Sequence, residues 1–269
     1  TGQGNKNLDF AGRAITVRSE NAAELTIIDC QNDGRGFYFH SGEDANSVLD
    51  GFTVTNGYVS GSLIGNRGGG ICCVGSGPTI KNCIITRNSA SYRGGGIFCG
   101  DESDAMISQC TIIENSASNG GGVFFGNGGT VVNINSTITH CIITGNSASQ
   151  YGGGIKCYNS LYYGDGATIK HCTISDNSAA SGGGIVCHNN TPKITNCIIS
   201  GNSSTCTHCS YGGGGGVYCE WSSPTIDNCI ISDNSTASAG VCGGGGGICC
   251  TYNSHPSISN STIVNNTTG

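Results

Sequence analysis

The chain has 269 residues, a formal net charge of −6 and only 10% charged residues, so no large charged surface can be built from it. The 11 basic residues are scattered without a stripe, which excludes an electrostatic nucleic-acid footprint, and no apolar run is long enough to span a membrane as a helix. The 18 cysteines point to an oxidising, extracytoplasmic setting, and a start at Thr1 rather than Met reads as a processed or partial chain.

In chain order, residues 1–57 hold β-type runs at 14–30, 36–41 and 47–57 that resemble one another loosely. From 58 to 269 the resemblance becomes a repeat. A glycine triplet leads to Ile71, Ile97, Val123, Ile155, Ile185, Val217 and Ile248, spaced 26, 26, 32, 30, 32 and 31 residues apart. Two residues later stand Cys73, Cys99, Phe125, Cys157, Cys187, Cys219 and Cys250. A second column reads Cys83, Cys110, Cys141, Cys172, Cys197 and Cys229, with Ser261 last. Ile lies three residues before and two residues after each member. Five residues after it stand Asn88, Asn115, Asn146, Asn177, Asn202, Asn234 and Asn266.

These periods are too short for two helices and a strand, and no 3.6-residue pattern is present. Each repeat offers three short β-type runs, as in GGGIVC, PKIT and CIIS. Alternation puts Ile185 with Cys187 and Cys197 with Ile199 on the same faces. Ile194 is an odd number of residues from Cys197 although both look interior, so a corner is expected at Thr195–Asn196. Three strands with corners make one coil of a parallel β-helix, an all-β solenoid of about nine coils forming one domain over 1–269. Its length is then on the order of 40 Å. Residues 1–57 supply the degenerate opening coils, with Phe52 and Val54 in the places of the second cysteine and its following Ile. Residues 58–269 supply the regular ones. The longer coils carry inserts at Ser203–Tyr211, Ser235–Cys242 and Tyr158–Gly166.

Stacking assigns each column a role. Ile fills the interior, glycine supplies a corner with φ > 0 and allows close approach of coils, and the closing Asn residues form an amide ladder. Asn159, in a variable loop, is expected to matter little. The two cysteine columns are expected to be buried thiols, because parallel Cβ vectors about 4.8 Å apart exceed the usual disulfide reach. Cys206, Cys209 and Cys242, in the inserts, are freer to pair as a disulfide. Zinc bound by these three with His208 is the alternative.

The glycine triplet and the I-x-x-N-S-A run resemble the GGA[I/L/V] and FxxN repeats of chlamydial polymorphic outer-membrane proteins. More broadly the chain is similar to the right-handed parallel β-helix repeat proteins of environmental bacteria. It has Gly for Ala and Ile for Phe. The resemblance implies a right-handed coil and a range of roles from adhesin to polysaccharide-active enzyme.

Lyases of this fold imply a basic residue near carboxylates that hold calcium. The nearest groups here are Asp101, Glu102 and Asp104, then Glu43 and Asp44, all beside glycine or serine as solvated loops are. His140 and His171 share the corner position held elsewhere by Asn82, Gln109, Asn196, Asn228 and Asn260, and read as members of a polar corner rather than a metal site. The outward positions Phe98, Phe124, Lys156, Val186 and Tyr218 could stack on sugars or form a lateral interface. The outward Ile, Thr and Ser residues beside the second cysteine column suggest an ice-binding face, but the threonines are irregular. The expected function is an extracellular or cell-surface structural solenoid, non-catalytic and without cofactor or metal. Its partner is itself, stacked head to tail, because no cap sequence precedes Leu8 or follows Asn266. A carbohydrate-binding or polysaccharide-degrading β-helix is the alternative.

Overall fold

Each regular coil has four strands rather than three. In the coil that opens at Gly182 they are Ile185–His188, Asn190–Thr195, Ile198–Ser200 and Ser203–Ser204. The computed structural model describes residues 5–61, 63–126, 135–160, 164–205, 213–237 and 244–269. Four parallel sheets result. Sheet 1 follows the glycines and runs in eight strands from Phe37–Phe39 to Ile248–Thr251. Sheet 2 runs in nine from Thr16–Arg18 to Ser257–Ser259, and sheet 3 in nine from Ile27–Asp29 to Thr262–Val264. Sheet 4 has eight, from Tyr58–Val59 to Thr267–Thr268. Instead of about nine three-stranded coils there are seven regular four-stranded ones, from Ile71 onward, after the opening strands. No α-helix occurs among the described residues.

The unexpected strand is the Ser-Ala-Ser run after each ladder asparagine: Ser89–Arg93, Ser116–Asn119, Ser147–Tyr151 and Ser178–Ser181. Ser and Ala have low β propensity, so no β-type run announces it. Its second position nonetheless faces inward in each, with Ala90, Ala117, Ala148 and Ala179 buried. Ser203–Ser204 and Ser235–Thr236, expected to begin inserts, belong to this sheet as well.

Four strands need four corners, and left-handed residues make most of them. Asn82, Gln109, His140, His171, Asn196, Asn228 and Asn260 turn sheet 2 into sheet 3 with φ of 49° to 55°. Arg87, Glu114, Gly145, Asp176, Gly201 and Asp233 turn sheet 3 into sheet 4 at 54° to 65°. Gly75, Asp101, Asn189, Trp221 and Tyr252 turn sheet 1 into sheet 2 at 48° to 58°. The first glycine of the triplet, as in Gly94 at 65°, makes the fourth. Asn, Asp and Gly tolerate this region best, which explains their frequency at these positions.

The second and third glycines are needed for space. A Cβ on Gly95 would lie 2.3 Å from the Ser116 carbonyl oxygen, and one on Gly96 would lie 2.7 Å from that of Gly122. Backbone from two coils fills the volume a side chain would take. Register then follows the columns: Ile97 pairs with Ile71 and Val123, Ile155 with Ile185, and Cys187 with Cys219. The interior Ile residues Ile80, Ile85, Ile107, Ile112, Ile169, Ile174, Ile194 and Ile199 have no exposed surface and form one continuous core with the cysteines. Burial of this kind is the main favourable term holding the coils together.

Candidate functional site

The asparagine column is fully bonded. Asn88 Nδ2 donates to Asn115 Oδ1 at 3.0 Å, and the bond repeats at 3.0 Å through Asn146, Asn177 and Asn202. It continues at 2.9 Å to Asn234 and on to Asn266. The second amide proton goes back one coil, as from Asn177 Nδ2 to the Ile143 carbonyl at 2.9 Å, and the Asn146 backbone N–H donates to Asn177 Oδ1 at 2.9 Å. Both amide protons and both lone pairs of Asn177 are therefore used.

The described cysteines are free thiols. Cys83, Cys110, Cys141, Cys172, Cys197 and Cys229 are 1–2% exposed, and Cys73, Cys99, Cys157, Cys187 and Cys219 are buried deeper still. Burial pushes the Cys157 thiol up to about 12. Cys250, expected in the core, is exposed because no described coil covers it. Cys206, Cys209, Cys242 and His208 lie outside the described residues.

Outside the corner between sheets 2 and 3, over part of the buried second cysteine column, runs an external groove. One stretch, of about 520 Å³, is lined by His171, Asn196, Cys197, Asn228, Cys229 and Asn260 among others. A second, of about 460 Å³, includes Asn82, Cys83 and Gln109. Its rim is a polar ladder in which Asn228 Nδ2 donates to Asn196 Oδ1 at 2.6 Å and the His140 and His171 rings stack 4.8 Å apart. His171 is held below the ordinary imidazole range by desolvation, then by the nearby charges of His140 and Lys170.

The outward column of sheet 1 is not a sugar platform. Phe98, Phe124, Val186 and Tyr218 are at most 1% exposed, and Lys156 is 7% exposed. The residue before each glycine triplet covers them. Arg67 lies over Phe98 at 5.3 Å, Arg93 over Phe124 at 4.9 Å, and the Tyr151 ring is 4.3 Å from Lys156 Nζ. Lys156 donates to Asn119 Oδ1 at 2.8 Å, and burial, then the charge of Arg93, lowers its amine to about 7.

Beyond that column lies a half-buried edge that the repeat pattern did not reveal. Tyr158, His188, Glu220 and Thr251 are in register, each directly after a first-column cysteine. His188 Nδ1 is 2.7 Å from Glu220 Oε2, and the Tyr158 ring lies 5.2 Å from that of His188. At the adjoining corner the Trp221 and Tyr252 rings stack 4.8 Å apart and 9° from parallel. Following the residue after the first cysteine as a column of its own would have found this edge.

A family model described as a right-handed beta helix region matches residues 3–162 and again 149–269. The chain belongs to the right-handed β-helix family. No curated protein and no solved structure gives a match.

Among the candidate acidic groups of this β-helix, Asp101, Glu43 and Asp44 are engaged with its own atoms. Asp101 faces Arg67 at 3.5 Å, while Glu102 and Asp104 are exposed. Glu43 is 2% exposed. It accepts from the N–H groups of Gly12 at 2.9 Å and Ser41 at 3.0 Å and from Ser76 Oγ at 2.9 Å. Burial opposes its charge, but these donors prevail and hold its carboxyl at about 2. Asp44 is exposed and accepts from the Asn46 N–H at 2.9 Å. Among the described residues, no group of three or more His, Cys, Asp or Glu is placed to hold a metal ion. No helix is long and apolar enough to cross a membrane. Asn159 also departs from expectation: it is fully buried and bonded rather than dispensable.

Proposed function

We propose that the protein is an extracellular, non-catalytic structural β-solenoid whose rods extend end to end into a surface layer or filament. The observation that carries this reading is the unbroken register of four parallel sheets along seven stacked coils, an array whose strands can accept a further coil at either face. Ile258 and Ile263 belong to interior columns yet are 44% and 46% exposed at the last coil. Their strands, Ser257–Ser259 and Thr262–Val264, pair on one side only. At the opposite face Leu8, Phe10, Val17, Ile28, Phe37 and Phe52 border an apolar hollow of about 480 Å³. A coil of the same register, from a second copy or from further chain, covers either face with strand pairing and apolar contact together. The resemblance of its glycine triplets and I-x-x-N-S-A runs to polymorphic outer-membrane repeats supports the extracytoplasmic placement. Electron microscopy and sedimentation of the 269-residue chain test the reading. Rods longer than one chain are expected, and Ile258→Lys with Ile263→Lys should cut them to single units. A monodisperse monomer at high concentration defeats it.

A polysaccharide-binding role is the second reading, favoured by the Trp221–Tyr252 stack beside the His188–Glu220 pair. Parallel rings suit the apolar face of a pyranose, and the polar pair suits its hydroxyls. Quenching or shifting of Trp221 fluorescence by soluble polysaccharides supports it. An unchanged spectrum across neutral and acidic glycans removes it.

A further inference from the structure

The second cysteine column stacks one buried thiol per coil beneath the corner between sheets 2 and 3. Cys83, Cys110, Cys141, Cys172, Cys197 and Cys229 occupy one position in six consecutive coils, flanked by pairs in strict register such as Ile80 with Ile107 and Ile85 with Ile112. Neighbouring strands in such a stack lie about 4.8 Å apart. A metal–sulfur bond is roughly 2.3 Å, so a linear sulfur–metal–sulfur unit spans roughly 4.6 Å. The coil repeat therefore matches that span without backbone movement. The Cys141 sulfur already leans toward its neighbour, accepting from the Cys110 N–H at 3.4 Å. Access comes from the groove, whose lining includes Cys83, Cys197 and Cys229.

Charge selects the ion. A divalent cation that displaces one proton from each of two thiols gives an uncharged unit, which an apolar floor accepts. A monovalent cation would leave a net negative charge buried beside Ile residues, at high cost. Sulfur ligands select soft ions, and only two ligands are available in each coil pair.

We propose that neighbouring thiols of this column bind a soft divalent cation of the mercury(II) kind, two sulfurs per ion in linear geometry, so that each ion bridges two coils. Two S–H bonds break and two sulfur–metal bonds form. Both protons pass to solvent and no electron is transferred.

Serine is the right probe, because Ser261 already stands in the column. Its Oγ donates to the Ser259 carbonyl at 2.7 Å and accepts from the Cys229 N–H at 3.1 Å, reproducing the contacts of the thiols. The full chain is loaded with mercury(II) chloride in excess glutathione, which strips singly bound ions, and is weighed by native mass spectrometry. Six thiols make three pairs. A chain carrying Cys110→Ser, Cys172→Ser and Cys229→Ser has no two adjacent thiols left in the column. It should retain three fewer ions than the parent, with an unchanged circular dichroism spectrum. The complementary set, Cys83→Ser, Cys141→Ser and Cys197→Ser, should lose the same three and covers the case in which the first set fails to fold. Each retained ion should release two protons. Equal retention by parent and variants, one proton per ion, or uptake only with loss of the β-sheet signal would each overturn the proposal.

Discussion

Lys156 Nζ donates to Asn119 Oδ1 at 2.8 Å, and that amide is the one hydrogen-bond acceptor found for a cation that is 7% exposed. Around it lie the Tyr151 and Tyr158 rings, 4.3 and 5.6 Å from the amine, with Arg93 near enough to disfavour its charge and Glu220 to favour it. Every other member of its column is apolar or aromatic. The amine falls from 10.5 to about 7 on folding, chiefly through burial. Below pH 7 it is charged in both states and the cost of burying it is fully present. Between 7 and 10.5 the unfolded chain binds more protons, so stability rises with pH. Lys156→Met should therefore stabilise the protein most below pH 7, by on the order of a few kcal/mol. The gain should shrink as pH rises toward 10. Denaturant titrations of both chains at pH 6 and pH 9.5 measure it, and a gain independent of pH would refute the assignment.

The thiols work in the opposite direction. Cys157 and Cys72 are each held near 12 by burial, against an ordinary 9. Their contribution is intact below pH 9 and is lost as pH rises toward 12, because only the unfolded chain can release these protons. Each such thiol adds a slope of about 1.4 kcal/mol per pH unit, and the columns hold many. A steep alkaline collapse beginning near pH 9 is expected by circular dichroism. A chain whose denaturation midpoint stays level from pH 9 to 11 would show that the thiols are not sheltered.

Removal of one ladder side chain should be costly. Asn177→Ala leaves the Asn146 backbone N–H, Asn146 Nδ2, the Ile143 carbonyl and Asn202 Oδ1 each short of a bond in a buried corner. A loss of at least about 3 kcal/mol is expected, since several buried groups are left short at about 1–3 kcal/mol each. Asn46 is exposed and bonded only to nearby Asp44, so Asn46→Ala should change stability by less than about 0.5 kcal/mol. Equal thermal shifts for the two substitutions would contradict the ladder.

Two glycines should behave in opposite ways. A Cβ on Gly95 meets backbone oxygens of Ser116 at 2.3 Å and Gly121 at 2.5 Å, neither of which can move without parting the coils. Gly95→Ala should destabilise by several kcal/mol. Gly145 has φ of 63° but no atom closer than 4.0 Å to the added carbon. Asp176 and Asp233 hold the equivalent corner at 54° and 56°. Gly145→Asp should cost less than about 1 kcal/mol. Comparable losses at both sites would mean that close approach is not what the triplet provides.

What the sequence made legible was whatever repeats in large side chains. Ile194, Cys197, Ile199 and Asn202 recur at fixed offsets, so their columns and the corner at Asn196 could be placed. The fourth sheet could not be, since Ser178, Ala179 and Ala180 carry little apolar bulk and no branching at Cβ. The corner before the ladder was hidden for a related reason. Arg87, Glu114 and Asp176 share a backbone conformation but no chemistry that a column of letters would display. Among the outward positions, Phe98 and Val186 alternate as surface residues should. The burial of Phe98 depends on Arg67 and that of Val186 on Gly182, which come from the joint and the corner before and at the triplet, and alternation within one strand cannot report on those.

The offsets from Ile194 to Asn202 never vary from coil to coil, while the spacing between successive triplets ranges from 26 to 32 residues. All variation in length is therefore confined to two joints, one after sheet 1 and one before the triplet. Extra residues there leave every stacked column unshifted, and closing a longer loop adds only slowly to the entropic cost. The perimeter behaves like a gauge with two open slots. A peptide grafted into either slot would be carried at a fixed height on the rod, and copies in successive coils would be presented about 4.8 Å apart along one line.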